Sequence, residues 1–366
     1  MKLSVLQSNL NKALSVTSRL IQTNNSLPVL SNVLLQTKDG RLELQATNLE
    51  LAISYKIGAK IEKTGSLSVP ARLLSDLINT LPNDKIQLVQ VKDNLEIHTN
   101  HLNSVINGIA ASEFPKIPEV KTTKQFSIAV NDFVDGLEYV LPAVSLDESR
   151  PVLTGVYFKV KSSVLTFAAT DSYRLAQYTI SGVKIDDIEV IIPHRTIQEL
   201  IRIIKSESVA ELDVGVSATE VVFSSKNFTL TSQLIEGSYP DYTKIIPPNS
   251  QTSVVINKDD LLSGLKIASL FSKENANTIS LAVVKNGLTI QSQGAQVGTN
   301  ESKLEAKTTG NNKEINLNAR YLIDTLSVID SKSILLSLND KLDPCVVSAN
   351  NKKSTSNIHI IMPLRS

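Results

Sequence analysis

The sequence predicts an α+β protein built from three similar domains, each with two helices packed on antiparallel strands. Two observations carry this reading. Segments recur at an interval of 123 residues: Pro28-Val29-Leu30-Ser31-Asn32-Val33 returns as Pro151-Val152-Leu153-Thr154-Gly155-Val156, Pro70-Ala71-Arg72 as Pro193-His194-Arg195, and Thr47-Asn48 as Thr170-Asp171. Within each repeat the apolar period alternates between helical and strand spacing in the same order. Three copies of about 122 residues account for all 366, and a period of that length is a domain rather than a solenoid unit.

The helices come first. Leu6, Leu10, Ala13, Leu14, Thr17 and Ile21 lie on one face at helical spacing, as do Leu73, Leu74, Leu77, Ile78 and Leu81 further on. The second repeat has Phe133, Val134, Leu137, Val140 and Leu141, then Ile197, Leu200, Ile201 and Ile204. The third has Leu261, Leu262, Leu265 and Ala268, then Leu322, Thr325, Leu326 and Ile329. Pro70 and Pro193 suit the first turn of a helix, where the missing amide hydrogen has no helical partner.

Strands fill the intervals. The period drops to two at Leu42, Leu44 and Ala46, at Leu165, Phe167 and Ala169, and at Leu95 and Ile97. Lys38-Asp39-Gly40 and Lys285-Asn286-Gly287 read as hairpin turns, since Asp-Gly and Asn-Gly supply the positive φ that tight hairpins need. The polar, aperiodic stretches 120–124 and 247–251 mark the joints, which divides the chain into domains 1–122, 123–250 and 251–366.

Composition limits the function. Hydrophobic residues make up 42% of the chain with only 4% aromatics, enough for three aliphatic cores. No apolar run approaches a membrane span, and the opening segment turns polar too early for a signal peptide. The single Cys345 fits a reducing cytoplasm. Lys and Arg number 37 against 36 Asp and Glu, so any nucleic-acid contact has to come from local basic patches.

Catalytic and cofactor motifs are missing. No phosphate loop, dinucleotide fingerprint, His-Glu-x-x-His or paired Cys is present, so no catalytic residue, metal or cofactor is assigned. His98 and His101 point to opposite faces of a strand, Cys345 reads as a small core residue, and Asp147-Glu148 reads as a surface loop. Two features need more explanation. Arg72, Arg195 and Arg320 occupy the same early position of the second helix in every repeat, where a cation opposes the helix dipole. They indicate either a shared structural pairing or a shared anionic partner. The second feature is the apolar end Ile360-Ile361-Met362-Pro363-Leu364-Arg365-Ser366, at a place where chains ordinarily fray in polar residues.

At Ala169-Thr170-Asp171-Ser172-Tyr173-Arg174-Leu175-Ala176, Tyr239-Pro240-Asp241-Tyr242 and Met362-Pro363-Leu364-Arg365 the chain resembles the bacterial DNA polymerase III beta subunits, the replicative sliding clamps. The likeness spans the whole chain. The family phrase is Ala-Thr-Asp-Gly-His-Arg-Leu-Ala and its tail commonly ends in Leu, so Ser172, Tyr173 and Ser366 depart from it.

The resemblance implies a DNA clamp fold in which a head-to-tail homodimer closes six domains into a ring around duplex DNA. It implies a partner-peptide groove formed by Leu153, Thr170, Arg174, Leu175, Pro240, Ile245, Asn318, Tyr321, Leu342, Pro344, Ile360, Met362, Pro363, Leu364 and Arg365. The clamp loader, the DNA polymerase III alpha subunit and other proteins with clamp-binding motifs are its implied occupants. By the same resemblance Ile106, Leu270 and Phe271 belong to the dimer contact, although Leu270-Phe271 equally suits a buried helix end.

Lys12, Arg19, Arg72, Arg195 and Arg202 are expected to face DNA. The helical segments carry +2 over 6–21 and over 193–205, +1 over 257–273, zero over 70–81 and 318–329, and −3 over 131–141. The hole attracts DNA only if acids are sorted outward and bases inward. A scaffold of the same domains that ignores DNA, and an enzyme, are the rival readings.

Overall fold

A computed structural model describes residues 1–21, 27–117, 120–207, 209–351 and 356–364. Among the described residues six α-helices stand where the periodicity places them: α1 (Gln7–Thr17), α2 (Ala71–Thr80), α3 (Val130–Val140), α4 (His194–Ser206), α5 (Lys258–Ser272) and α6 (Ala319–Val328). Each is amphipathic, and the predicted stripes are largely buried, as with Leu10, Ala13, Leu14 and Thr17 on α1 or Ile197, Leu200, Ile201 and Ile204 on α4. Leu6 and Leu73 depart from this and are about half exposed. Leu6 ends the preceding strand at the N-cap of α1, so its side chain escapes the helical stripe. Pro70 and Pro193 each close a strand one residue before the helix begins, instead of opening the first turn.

The strands form four antiparallel sheets whose contacts divide the chain into two compact units, Met1–Val130 with Gln198–Leu234, and Asn131–Ile197 with Ile235–Ser366. In the first unit a nine-stranded sheet runs in the order Ile109–Ala110, Ser66–Pro70, Asn32–Lys38, Arg41–Thr47, Leu51–Gly58, Phe228–Gln233, Glu220–Ser224, Glu211–Val216 and Lys124–Ala129. The first repeat meets the middle one at its centre, where Tyr55 lies opposite Phe228 and Ala52 opposite Thr231. A five-stranded sheet, Lys60–Lys63, Lys2–Leu6, Lys85–Val91, Asn94–His98 and Asn103–Asn107, completes the unit.

The second unit has the same construction. Its nine-stranded sheet runs Ile188–Pro193, Gly155–Lys161, Val164–Thr170, Arg174–Ser181, Ile358–Ile361, Cys345–Ala349, Ser333–Leu338, Thr252–Asn257 and Lys307–Thr309. Here the middle repeat meets the third, with Leu175 opposite Ile360. The four-stranded sheet is Gly298–Glu305, Gly287–Gly294, Thr278–Val284 and Lys313–Asn318. Each long sheet therefore belongs to two repeats, and the middle repeat divides its strands between both.

Hairpin geometry repeats with the sequence. Asp39 and Gly40 have φ of 51° and 72°, as tight turns require, and Asn286 has φ of 59°. The corresponding turn of the middle repeat is Ser162-Ser163, with φ of 50° and 62°. Its position, 123 residues after Asp39-Gly40, was the available signal, because two serines mark a turn only weakly and lack the ease of Gly or Asn at positive φ.

Candidate partner groove and nucleic-acid face

The turn at Thr170 is built by side chains that replace missing backbone partners. Thr170 Oγ1 donates to the Arg174 carbonyl at 2.6 Å and accepts from the Ser172 amide at 3.1 Å. Asp171 Oδ1 accepts from the amides of Tyr173 and Arg174, both at 2.9 Å. The first repeat makes the same set with Thr47 and Asn48: Thr47 bonds the Leu51 carbonyl and the Leu49 amide, and Asn48 the Glu50 and Leu51 amides. The fold reads Thr-Asx as a unit because only a hydroxyl followed by a short side-chain carbonyl satisfies all four groups. The third turn residue is left-handed in both copies, Leu49 and Ser172 each at φ 77°. A non-glycine residue is strained there, and Ser172 is tethered by Arg150 Nη1 at 2.7 Å from its Oγ.

This turn presents Arg174 to the third repeat. Its Nε donates to Asp171 Oδ2 at 2.9 Å and its Nη1 to Asp324 Oδ2 at 2.8 Å, while the guanidinium lies 4.4 Å from the Tyr321 ring centroid. Two carboxylates and an aromatic face hold the charge in one geometry, with only 14% of the side chain accessible. Asn318 caps α6, its Oδ1 accepting from the Arg320 and Tyr321 amides and its Nδ2 donating to the Ala276 carbonyl. It positions Tyr321 for the stack on Arg174.

The apolar part of the predicted groove condenses where the strands of the middle repeat meet that of the third in this sheet. Leu153, Leu175 and Ile360 are buried in one cluster, with Met362 packed against it. The tail is held by backbone as well, the Met362 amide on the Tyr173 carbonyl at 2.9 Å and the Leu364 amide on the Asn316 carbonyl at 2.8 Å. Pro240 is exposed, Pro363 and Leu364 are half-buried, and Pro344 lies half-buried before the strand Cys345–Ala349. Leu342 and Ile245 stand out to solvent at 61% and 41%, and Ile246 rather than Ile245 packs on the cluster. Arg365 lies outside the described residues.

The cluster also contains Tyr157, Tyr239 and Tyr242, with Tyr157 stacked on Tyr239 at 4.7 Å and Tyr242 edge-on to both. Sequence reading missed these tyrosines as groove supports. The phrase Tyr239-Pro240-Asp241-Tyr242 was the signal, but what it packs against is set by the sheet. Beneath the tail His359 is 2% exposed, and burial pushes its pKa down to about 3, so it is a neutral core residue. Burial raises the Cys345 thiol to about 12, which leaves it chemically quiet.

The residues expected to face DNA fall into three states. Arg19 and Arg72 are exposed on the first repeat. Lys12 is exposed but paired, its Nζ 2.7 Å from Oε1 of Glu207, a buried acid that also accepts from the Tyr55 hydroxyl. Arg202 is exposed and pairs with Glu199 at 2.6 Å, one turn back on α4, while Arg195 is half-buried at its start. Arg72, Arg195 and Arg320 are each the second residue of their helix.

Of the residues expected at a dimer contact, Leu270 is 71% exposed on α5 and Phe271 is half-buried. Ile106 is only 4% exposed, because it faces Leu95 inside its own sheet. The accessible apolar side chain of that strand is its neighbour Val105, at 61%. Among the described residues no group of three ligating side chains could hold a metal ion.

Models of the three domains of the DNA polymerase III beta subunit match end to end: the N-terminal domain over residues 1–118, the central domain over 127–241 and the C-terminal domain over 243–365. The chain belongs to the DNA polymerase III beta subunit family. Its function is that of a replicative sliding clamp, a processivity factor and not an enzyme. The beta sliding clamp of Synechococcus elongatus is 32% identical over the whole chain and 99% of its own length, and that of Bacillus subtilis 26% over the full length of both. The solved DNA polymerase III subunit beta from Pseudomonas aeruginosa superposes with a TM-score of 0.95 at 27% identity, covering both chains completely. A sliding clamp from Bartonella birtlesii, solved bound to griselimycin, gives 0.95 at 28% identity, again over the full length of both chains.

Proposed function

We propose that two copies of this chain, each divided as 1–122, 123–250 and 251–366, close head to tail into a six-domain ring around duplex DNA. The observation that carries the closure is a pair of open sheet edges. Asn103–Asn107 bonds only to Asn94–His98, and Gly298–Glu305 only to Gly287–Gly294, among the described residues. An open edge presents a row of backbone donors and acceptors that a second strand satisfies. Apolar side chains accompany both edges: Val105 lies on the first, and Ile267 and Leu270, 46% and 71% exposed, lie on α5 in the domain that carries the second. Two different surfaces pairing reciprocally close a two-fold dimer and leave neither of these two edges open.

A ring holds DNA by topology, so its contacts with phosphates can be weak enough for sliding. Arg19 and Arg72 supply the most accessible part of that contact in our reading, while Lys12 and Arg202 act with their charge shared by Glu207 and Glu199. The groove at Leu153, Leu175, Ile360 and Met362 takes the apolar anchors of short peptides from the clamp loader, the DNA polymerase III alpha subunit and other partners. Each buried anchor contributes about 1.5–3 kcal/mol. We place the assembly in the cytoplasm; none of the described helices is long and apolar enough to cross a membrane.

The decisive experiment loads the protein onto nicked circular DNA with a clamp loader and then linearises the circle. Retention on the circle and loss on linearisation is expected. Equal retention on both forms would replace encirclement by ordinary binding and favour the scaffold reading.

A further inference from the structure

The five-stranded sheet of the first unit carries a charge imbalance that encirclement does not use. Its strands, Lys60–Lys63, Lys2–Leu6, Lys85–Val91, Asn94–His98 and Asn103–Asn107, hold Lys2, Lys60, Lys63 and Lys85 against Glu62 and Glu96, with no Arg. Register gathers the lysines. Lys63 lies directly opposite Lys2, Lys60 opposite Ser4 and Lys85 opposite Leu6, so all four share the face that Lys2, Ser4 and Leu6 present. Leu3, Val5, Ile86 and Leu88 turn the other way and are buried in the core.

The nearby acids do not cancel this face. Glu62 is committed to Lys2, with Oε2 at 2.8 Å from Nζ. That hydrogen bond, and the charges of Lys60 and Lys85 around it, hold the Glu62 carboxyl below its usual value. Glu96 bonds His98 two strands away from Lys2–Leu6. Asp84, next to Lys85 in the chain, accepts from the Lys85 amide at 2.6 Å and from Asn100 Nδ2 at 3.2 Å. Lys60, Lys63 and Lys85 are exposed, and none of the three forms an ion pair among the described residues.

Like charges directly opposite one another on a sheet cost stability, so the Lys2–Lys63 pair calls for a reason beyond the fold. Lysines on an edge strand discourage the addition of another strand, which accounts for Lys60 and Lys63. It does not account for Lys2 or Lys85, whose strands lie inside the sheet.

The chemistry of the face selects its occupant. Alternate residues of a strand stand about 6.6–6.8 Å apart, so Lys2 with Lys63, then Lys60, then Lys85 mark out a row of positive points level with residues 2, 4 and 6. A polyanion charged at regular intervals meets such a row at several points at once. None of the five strands contains Phe, Tyr or Trp, so the bases of a single strand find nothing to stack on. Nor is there a guanidinium fork to take a carboxylate by both oxygens. Ammonium groups on an open sheet face suit the phosphates of a duplex, contacted without regard to sequence.

We propose that the lysine face of this sheet is a second, sequence-independent site for duplex DNA, separate from the residues that face DNA in the ring. The inference adds a contact to encirclement and does not rest on it.

A covalently closed duplex minicircle tests it, because without a clamp loader a closed circle is barred from the hole of a closed ring. Filter binding of the labelled minicircle to the full chain at low salt is expected to show an affinity that falls as salt rises. Lys2→Gln/Lys60→Gln/Lys63→Gln/Lys85→Gln should bind at least about tenfold more weakly and flatten the salt slope by about three, since each phosphate contact adds close to 0.9. Removing the facing like charges should leave unfolding stability equal or higher. Lys2→Gln/Lys85→Gln keeps the edge strand charged against aggregation and should lose part of the same slope. Arg19→Glu/Arg72→Glu/Arg202→Glu should bind the minicircle as the parent does. Equal affinity for the parent and both lysine variants, or no salt-dependent binding of the minicircle, overturns the proposal whatever linearisation shows about the ring. If deca-glutamate displaces the labelled minicircle at a lower concentration of charge than unlabelled minicircle does, the occupant is an acidic polypeptide and the assignment to DNA is overturned.

Discussion

His359 shows how one buried side chain makes the stability of this protein depend on pH. Its folded pKa is pushed down to about 3 by burial, with the Arg174 charge adding to the effect, from an ordinary value of 6.5. Between those values the unfolded chain binds a proton that the folded chain refuses. Its contribution is therefore complete above about pH 6.5 and is lost as pH falls toward 3, at about 1.4 kcal/mol per pH unit. Burial of His194 acts in the same direction. We expect His359→Gln to flatten the change in urea-unfolding stability between pH 7 and pH 5; identical slopes for variant and parent would mean that His359 does not carry it. Residue identity also explains the left-handed turns. Leu49 and Ser172 share φ 77° because Thr47-Asn48 and Thr170-Asp171 dictate the turn around them, and the third residue has to comply.

At the scale of elements, the C-terminal tail is tied into the fold. Ile358–Ile361 lies between two strands and is buried on both faces. A strand inside a sheet covered on both sides has no polar face to show in its pattern. Beyond it, Met362 and Leu364 each donate one backbone hydrogen bond. Deleting residues 362–366 removes groove wall but no strand, so the protein should stay folded. Affinity for a polymerase-derived peptide should fall at least tenfold, about 1.4 kcal/mol. Unchanged affinity in a calorimetric titration of the folded truncation would move the peptide site elsewhere.

For the whole molecule, two expectations follow from edges and charges. Leu270→Ala combined with Phe271→Ala and Val105→Ala should raise the dimer dissociation constant by a factor of about ten or more. Sedimentation at low concentration reads the change, and an undiminished dimer would place the interface on other residues. The DNA-facing charges require a selective variant. Replacing Lys12 by Glu would set two acids together at buried Glu207 and damage the fold, so Lys12 is left intact. Arg19→Glu, Arg72→Glu and Arg202→Glu together should reduce the slope of DNA binding against salt by about two to three, because each phosphate that a cation neutralises adds close to one to that slope. An unchanged slope with an intact dimer would take these arginines off the DNA-facing surface.

Much of this architecture was legible in the chain. A helix announces itself by a local apolar stripe, so all six were readable, and the 123-residue interval carried the hairpins and the Thr-Asx turns from one repeat to the next, even to Ser162-Ser163. These signals are short-range, and short-range signals survive in a sequence. The repeat gave three domains of helices on antiparallel strands but not which strands also pair across repeats, as Leu51–Gly58 does with Phe228–Gln233 and Arg174–Ser181 with Ile358–Ile361. Nothing local distinguishes a strand that pairs within its repeat from one that pairs outside it, since backbone hydrogen bonds carry no residue code. The same limit applied to side chains. That Ile106 turns inward while Val105 turns out, that Lys12 is claimed by Glu207, and that Tyr157, Tyr239 and Tyr242 pack with Leu153, Leu175 and Ile360 are all decided by which distant element arrives beside them. Local periodicity determined the elements and their order; long-range strand pairing and burial alone decided which residues remained accessible to a partner.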